Sequence, residues 1–262
     1  DEQLRPRLTG GVTASWVAEG QSMPESSVSG GLVDSVATKL GILVRFGSEL
    51  YEDSAPDLAE FLAQEFGYAI SGAIDNAGFN GDGTSQYGGA FGLFPRLVGK
   101  KSNVAAAATH KSFLAVDATD IAELMGGVLA SALPGAAWYC TNSAYGQTFC
   151  RLSVSTGGLV ATNNADDTIS ASYLGYPIIF SGKLVDGDPA ADLSTKPMLA
   201  FGDLSQAAML TTRRPLSISL SLQHALDTDQ VLVRGVTRQS IVVHSVGDAA
   251  TRGPMAALIG TA

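Results

Sequence analysis

Charged residues are scarce in this sequence of 262 residues: they make up 16% of it, whereas about 25% is usual in a soluble protein. A soluble monomer of this length has a large surface to hydrate, so we expect copies of the chain or other partners to cover part of it. Basic residues are fewer than acidic ones: the sequence has 16 Lys and Arg against 25 Asp and Glu, which gives a formal net charge of −9. Nucleic-acid-binding proteins normally carry a basic patch, so the composition argues against a general member of that class.

Residues that act as metal ligands or nucleophiles are also few. The two cysteines, Cys140 and Cys150, lack zinc-finger spacing, and the three histidines lie far apart in the sequence. The sequence contains no Gly-x-Ser-x-Gly elbow and no phosphate-binding glycine loop. We therefore expect no catalytic site, no cofactor and no bound metal.

Long apolar runs are missing as well. The longest uncharged stretch, residues 124–150, is interrupted by Pro134 and Gly135 and contains Asn142 and Gln147. A transmembrane helix needs about 20 consecutive, mainly apolar residues. We expect no membrane span.

The strongest pattern that is present predicts a long amphipathic helix over residues 55–78. Apolar residues recur there every three or four positions, Ser54 and Pro56 are typical of a helix start, and Asn80 to Gly83 are typical of a helix end. The side chains that we expect in the core are Leu58, Phe61, Leu62, Phe66, Ile70 and Ile74.

Short strands and loops account for most of the remaining chain. Residues 12–17 and 32–46 flank a Gly- and Ser-rich tip at residues 20–31, which predicts an extended hairpin that buries little of its own surface. We expect a second helix over residues 119–132, and strands over residues 136–141, 177–181, 198–201, 208–212, 216–220, 231–236, 240–244 and 255–259. One long helix beside several antiparallel strands indicates an α+β fold.

Two charged clusters admit more than one interpretation. Arg213 and Arg214 form a basic pair, which we interpret as a solvated turn or a subunit contact. Asp186 and Asp188 could bind a divalent ion or act as the carboxylates of a hydrolase, but no histidine or further acid cluster accompanies them. We interpret them as part of a solvated acidic loop.

Three sets of motifs carry a family resemblance over most of the chain. The first comprises residues 15–20 (SWVAEG) and 23–26 (MPES), and the second comprises residues 52–58 (EDSAPDL), the long helix and residues 79–84 (FNGDGT). The third comprises residues 174–177 (LGYP), 200–205 (AFGDLS) and 229–231 (DQV). In this order they resemble the major capsid proteins of tailed bacteriophages, which have the Hong Kong 97 fold. The first set is similar to that family's E-loop, and the second to its spine helix.

The resemblance implies an α+β capsid fold with two lobes. Its expected parts are a short N-terminal segment at residues 1–14, an E-loop hairpin at 15–46, a peripheral domain at 47–108 with spine helix 55–78, an axial domain at 109–212, peripheral-domain strands at 213–250 and a terminal strand at 251–262 that returns to the axial domain. Intersubunit contacts of the E-loop are expected at Trp16, Glu19, Met23, Pro24 and Glu25. Some family members cross-link through an E-loop lysine. Residues 20–34 contain none, so we expect no such bond here.

The function that this resemblance implies is structural. Copies of the chain would assemble as hexamers and pentamers, in the bacterial cytoplasm, into an icosahedral-type virion shell. The shell would enclose double-stranded DNA of a tailed phage or a gene transfer agent, held without sequence specificity, and portal and decoration proteins are further partners in the family. Two alternatives stay open: an encapsulin-type compartment of the same fold, and a hydrolase that uses Asp186 and Asp188.

Overall fold

The computed structural model describes residues 2–10, 29–156, 161–163, 169–188, 191–225 and 229–261. Its helices are α1 (Ser48–Asn80), α2 (Leu93–Leu97), α3 (Ala118–Gly126), α4 (Asn142–Ala144), α5 (Arg151–Thr156) and α6 (Leu204–Ala207). Its strands are β1 (Glu2–Gly10), β2 (Ser29–Val36), β3 (Thr38–Gly47), β4 (Asn103–Ala105), β5 (Ala137–Cys140), β6 (Ala161–Asn163), β7 (Ile169–Tyr173), β8 (Tyr176–Phe180), β9 (Pro197–Gly202), β10 (Ala208–Ala225), β11 (Gln230–Val243) and β12 (Met255–Ile259).

A mixed seven-stranded sheet forms the core of one lobe, in the order β4-β12-β9-β5-β8-β7-β6. Strand β5 is buried along its whole length, because helices and loops cover both faces of the sheet at its centre. The Trp138 ring lies 4.2 Å from that of Phe201 and 5.3 Å from that of Phe149, measured between centroids. Its indole N–H donates to the carbonyl of Tyr173 at 3.0 Å, so the one polar atom of this buried ring is paired.

The second lobe is a three-stranded antiparallel sheet, β10-β11-β3, with α1 packed on one face. Side chains of β3 alternate between half-buried and exposed, as expected for a strand with one covered face. Phe66 of α1 is 1% exposed and lies against Gly235 of β11. Helix and sheet therefore share a core of their own.

Helix α1 is longer than the sequence predicts. It begins at Ser48 rather than near residue 55, with Gly47 as N-cap, and Pro56 falls inside it. Ser48 donates its backbone N–H to the carbonyl of Asp229 at 3.2 Å and its hydroxyl to the Asp229 carboxylate at 2.5 Å. This tertiary contact holds the helix start directly after β3. The end at Asn80, followed by Gly81, agrees with the prediction.

The predicted core positions of α1 divide into three groups. Phe66 and Ile70 are buried, and Leu62 and Ile74 are half-buried. Phe61 is 58% exposed, so its assignment to the core of the subunit is wrong. The side chain of Leu58 lies outside the described residues.

Two pairs of predicted short strands are single long strands. Residues 208–212 and 216–220 both belong to β10, and residues 231–236 and 240–244 are largely covered by β11. Register shifts on both sides of Arg214 accommodate Pro215. Because β10 is the outer strand of its sheet, the missing N–H of the proline removes no ladder hydrogen bond from a central strand.

Two further predictions differ at their boundaries. The expected helix over residues 119–132 ends at Gly126, and a 3₁₀ helix, Ala130–Gly135, follows. The hairpin includes strand β1, which pairs with β2 from Glu2 opposite Val36 to Gly10 opposite Ser29; the sequence analysis placed residues 1–14 outside it. The predicted strand at residues 12–17 lies outside the described residues. Among the described residues, no helix has the length and apolar content of a membrane span.

Candidate functional site

The residues predicted to make E-loop contacts fall within one stretch of the sequence. Trp16, Glu19, Met23, Pro24 and Glu25 all lie in residues 11–28, outside the described residues. The strands on either side of that segment, β1 and β2, are described and form a two-stranded antiparallel sheet. The candidate site is therefore built from this hairpin and from the surfaces around α1 and the three-stranded sheet.

The β1–β2 hairpin pairs with no third strand among the described residues. At its base, the hydroxyl of Ser35 donates to that of Ser240 in β11 at 2.8 Å, and Ser35 is buried. An isolated two-stranded sheet is at best marginally stable in water. Such a hairpin gains stability from further contacts along its length.

Exposed apolar side chains border α1 and the outer strand β10. Besides Phe61, large exposed side chains here are Tyr68, Leu210, Leu216, Ile218 and Leu220. A groove of about 340 Å³ lies between the C-terminal part of α1 and β10, with Ile74, Phe79 and Leu210 among its lining residues. An apolar groove bordered by exposed apolar side chains is suited to a protein contact.

The face of the three-stranded sheet that is turned away from α1 is basic. Because Gly235 faces Phe66 of α1, the adjacent Arg234 points to the other side of the sheet. Residues directly opposite each other in antiparallel strands share a face, and the register aligns Arg234 with Leu43 and Leu232 with Arg45. It also aligns Arg214, Arg238 and Lys39 in one row across the three strands. We call this surface the basic face, and its cations are Lys39, Arg45, Arg214, Arg234 and Arg238.

A separate polar cluster anchors a loop of the first lobe to α3. Nδ1 of His110 lies 2.6 Å from a carboxylate oxygen of Asp120, which is 2% exposed. Asp120 also accepts hydrogen bonds from the backbone N–H groups of Ala107 at 3.0 Å and Asp117 at 3.1 Å. The buried carboxylate is thus paired, and it ties residues 107–117 to the first turn of the helix.

Asp117 is the N-cap of α3 and completes this cluster. Its carboxylate accepts from the backbone N–H groups of Thr119 at 2.9 Å and Asp120 at 3.0 Å. These bonds, above all the one from Asp120, lower the pKa of Asp117. Donor atoms of His110, Asp117 and Asp120 lie within 4.8 Å of one another, close enough for a metal ion. Because the carboxylates already accept backbone N–H groups, we interpret the cluster as a helix cap and loop anchor.

The two aspartates of the hydrolase alternative lie in the open. Asp186 and Asp188 are both exposed, and the carboxylate of Asp186 accepts hydrogen bonds from the hydroxyl of Ser143 and the backbone N–H of Gly187. Catalytic carboxylates usually work in sites that exclude water. Their setting resembles a solvated turn, in line with the interpretation from sequence.

The sequence analysis missed both polar features described above. No sequence motif marks the His110–Asp120 pair, because ten positions separate the two residues. The basic face had a signal: β3, β10 and β11 together contain six Lys and Arg and no Asp or Glu. Only the register of the strands shows that five of these cations share one face.

Comparisons with known proteins agree with this architecture. The model of the phage capsid family matches residues 3–245. The capsid protein of an empty GTA particle is 17% identical to the chain and superposes on it with a TM-score of 0.71. The match covers 100% of this chain and 85% of the GTA protein. A solved structure from Mycobacterium phage Cain is 17% identical to the chain and superposes with a TM-score of 0.64. That match covers 99% of this chain and 85% of the phage protein. No curated protein sequence matches the chain significantly.

A family match over nearly the whole chain is stronger evidence of family membership than any single motif. At these identities the solved structures establish the fold, and the family match establishes the role that goes with it. The chain belongs to the phage capsid family and is a major capsid protein with the Hong Kong 97 fold.

Proposed function

We propose that copies of this chain assemble through hexamers and pentamers into a closed icosahedral-type shell that holds double-stranded DNA. The observation that carries the proposal is the β1–β2 hairpin, a two-stranded sheet joined to the body of its own chain mainly at its base. Such a hairpin becomes stable when it lies on a neighbouring subunit. We assign it the role of the E-loop.

The charge-poor composition supports the same proposal. A shell buries surface between many copies, so each subunit needs fewer charged side chains to stay hydrated. The exposed apolar side chains of α1 and β10, such as Phe61 and Ile218, are suited to such contacts. Many weak interfaces add up when symmetry repeats them.

The domain assignment is part of the proposal. The seven-stranded lobe would be the axial domain near the centre of each hexamer or pentamer, and α1 with its three-stranded sheet would be the peripheral domain. Trp16, Glu19, Met23, Pro24 and Glu25 would make contacts between subunits. The net charge of −9 favours loose retention of DNA over tight binding. The shells would form in the cytoplasm of the bacterial host.

Expression of the full chain in bacteria tests assembly directly. We expect particles of uniform diameter by electron microscopy and a fast-sedimenting species by ultracentrifugation. Nuclease-protected DNA inside them would support a phage or gene-transfer-agent capsid, whereas protein cargo without DNA would support an encapsulin-type compartment. A strictly monomeric product under all conditions would contradict the proposal.

A deletion tests the role of the hairpin. Removal of residues 14–25 takes away all five expected contact residues and leaves a loop long enough to join β1 to β2. We expect a folded subunit, judged by circular dichroism, that no longer forms shells. Shells in normal yield from this variant would refute the role assigned to the hairpin.

A further inference from the structure

We infer that the turn at residues 181–184 fixes the angle between the two lobes of the subunit and, through that angle, the curvature of the shell. The turn follows β8 in the seven-stranded lobe and contacts residues 72–80 of α1, which belongs to the other lobe. The part of the inference that concerns curvature rests on the proposed function. The part that concerns the lobe angle is open to measurement in unassembled subunits.

Hydrogen bonds join this turn to polar side chains of α1. Nδ2 of Asn80 donates to the backbone carbonyl of Lys183 at 2.7 Å, and the hydroxyl of Ser181 donates to the carboxylate of Asp75 at 3.3 Å. Ser181 is 8% exposed, and its backbone N–H donates to the carbonyl of Cys140 in β5 at 3.1 Å. The turn therefore connects the C-terminal part of α1 with the middle strand of the seven-stranded sheet.

Apolar contacts accompany these hydrogen bonds. A Cβ on Gly72 would lie 3.2 Å from Cε of Lys183, so the aliphatic part of the lysine crosses α1 where the helix carries no side chain. Leu184 is 6% exposed and belongs to the same apolar cluster as Phe79. The helix positions that face the turn keep the spacing of one side of a helix: they are Gly72, Asp75, Asn76, Phe79 and Asn80.

Three segments join α1 and the three-stranded sheet to the seven-stranded lobe: residues 81–92, 203–207 and 244–254. Two of them lie side by side, because Ala208 at the start of β10 pairs with Val243 at the end of β11. Links that lie together at one end of a lobe form a joint about which the lobe can turn. The 181–184 turn is not one of these links, so its contacts with α1 resist that motion.

Another side of the helix end is open. The groove of about 340 Å³ lies between α1 and β10, and Ile74 and Gly78 line it from the helix. A helix side without packed neighbours gains no dispersion energy there, so packing does not hold α1 from that side. Release of the contacts with the turn would let the end of α1 move into this groove.

The lobe angle bears on curvature because both lobes contact neighbouring copies in the proposed shell. The seven-stranded lobes would meet near the centre of each hexamer or pentamer, and the other lobes would meet copies farther out. Symmetry repeats the same interfaces in every copy. A change in the angle would therefore tilt all the outer contacts by the same amount, and the diameter of the closed shell would change with it.

Removal of both donors tests the effect on the subunit. Asn80→Asp with Ser181→Ala nearly preserves side-chain size and takes away the two hydrogen bonds across the lobes. We expect a folded subunit in which amide hydrogen exchange of residues 72–80, measured by mass spectrometry, is at least tenfold faster. The matched control, Asn142→Asp with Ser153→Ala, makes the same changes in α4 and α5 and should leave that exchange unchanged.

Electron microscopy of assembled shells tests the effect on curvature. We expect the variant with both donors removed to form shells whose diameters have at least twice the standard deviation of those from the unmodified chain. The control should match the unmodified chain. A second variant, Ser181→Ala with Lys183→Ala, leaves α1 itself unchanged and should broaden the diameters in the same way. It replaces the first variant if circular dichroism shows that the first is unfolded.

The outcomes separate this inference from the proposed function. If the unmodified chain forms no shells, the proposed function fails and the curvature part fails with it, while hydrogen exchange still decides the lobe contact. Unchanged exchange in folded variants would overturn the inference, and so would faster exchange with unchanged shell diameters. Folded variants that form no shells, beside a control that does, would show that the turn is required for assembly rather than for curvature, and two unfolded variants would show that it is required for folding. Either result would also overturn the inference.

Discussion

Phe66 of the long helix and Gly235 of the central strand meet without space for another carbon atom between them. A Cβ placed on Gly235 would lie 2.8 Å from Cδ2 and 3.1 Å from Cε2 of the Phe66 ring. The ring is 1% exposed and cannot move toward solvent without opening the lobe. The missing side chain at Gly235 therefore sets how closely α1 can approach the sheet.

Gly235→Ala is expected to lower the free energy of unfolding by about 1–3 kcal/mol, because the new methyl group overpacks this contact. Urea denaturation followed by circular dichroism measures the loss. The matched control is Gly41→Ala on the neighbouring strand, where a Cβ would find ordinary contacts at 3.7 Å or more. Equal midpoints for the two variants would show that the helix can shift freely.

Phe66→Ala and Phe61→Ala should differ sharply in stability. Loss of the buried Phe66 ring leaves a cavity and is expected to cost about 3–5 kcal/mol. Phe61 is 58% exposed, so its replacement should change the stability of the isolated subunit by about 0.5 kcal/mol or less. Thermal or urea unfolding of unassembled subunits provides the measurement. A large loss from Phe61→Ala would mean that its ring is buried in the subunit.

Asp117→Ala is expected to cost about 0.5–2 kcal/mol at neutral pH, because it removes the cap of α3. The pKa of Asp117 is lowered below its ordinary value of 3.8, chiefly by the hydrogen bond from the backbone of Asp120. The contribution of the carboxylate is therefore complete above that ordinary value and is lost as the pH falls through the lower folded value. Urea unfolding of both proteins from pH 7 down to pH 3 checks this. A gap in stability that stays constant below pH 4 would contradict it.

Cys140 should resist alkylation in the folded protein. It is fully buried in β5, and burial raises its pKa to about 12. The thiolate is the reactive form, so at pH 8 we expect iodoacetamide to label Cys140 at least a hundredfold more slowly in native subunits than in urea. Mass spectrometry of peptides that contain Cys140 measures both rates. Rapid labelling under native conditions would show that β5 opens readily.

Local patterns predicted the elements that depend on nearest neighbours along the chain. The end of α1 after Asn80, strand β12 over Met255–Ile259 and the buried strand β5 follow from turn residues and short apolar runs. The start of α1 was predicted wrongly because Ser54 and Pro56 resemble a helix start, while the contact between Ser48 and Asp229 extends the helix to residue 48. Nothing near Ser48 in the sequence signals a partner 181 positions away.

In the candidate site, too, local patterns predicted one part and tertiary structure decided the other. The sequence alone indicated a hairpin and the acids of its tip. Of the cations on the basic face it singled out only Arg214, which with Arg213 was interpreted as a solvated turn or a subunit contact. Lys39, Arg45 and Arg234 belong to strands far apart in the chain and share a surface only because β11 pairs with β3 in one register. A shift of one residue in this pairing would put Arg234 on the opposite face of the sheet from Lys39 and Arg45.

The sequence by itself determined that this chain is an α+β protein with a long helix and a low content of charged residues. These are properties of composition and of short-range periodicity, which act within a few residues. Tertiary structure alone decided where α1 begins, which aromatic side chains of α1 are covered and which cations share a face. Those outcomes depend on the pairing of distant strands, and the free energy of that pairing is spread over contacts that no local segment contains.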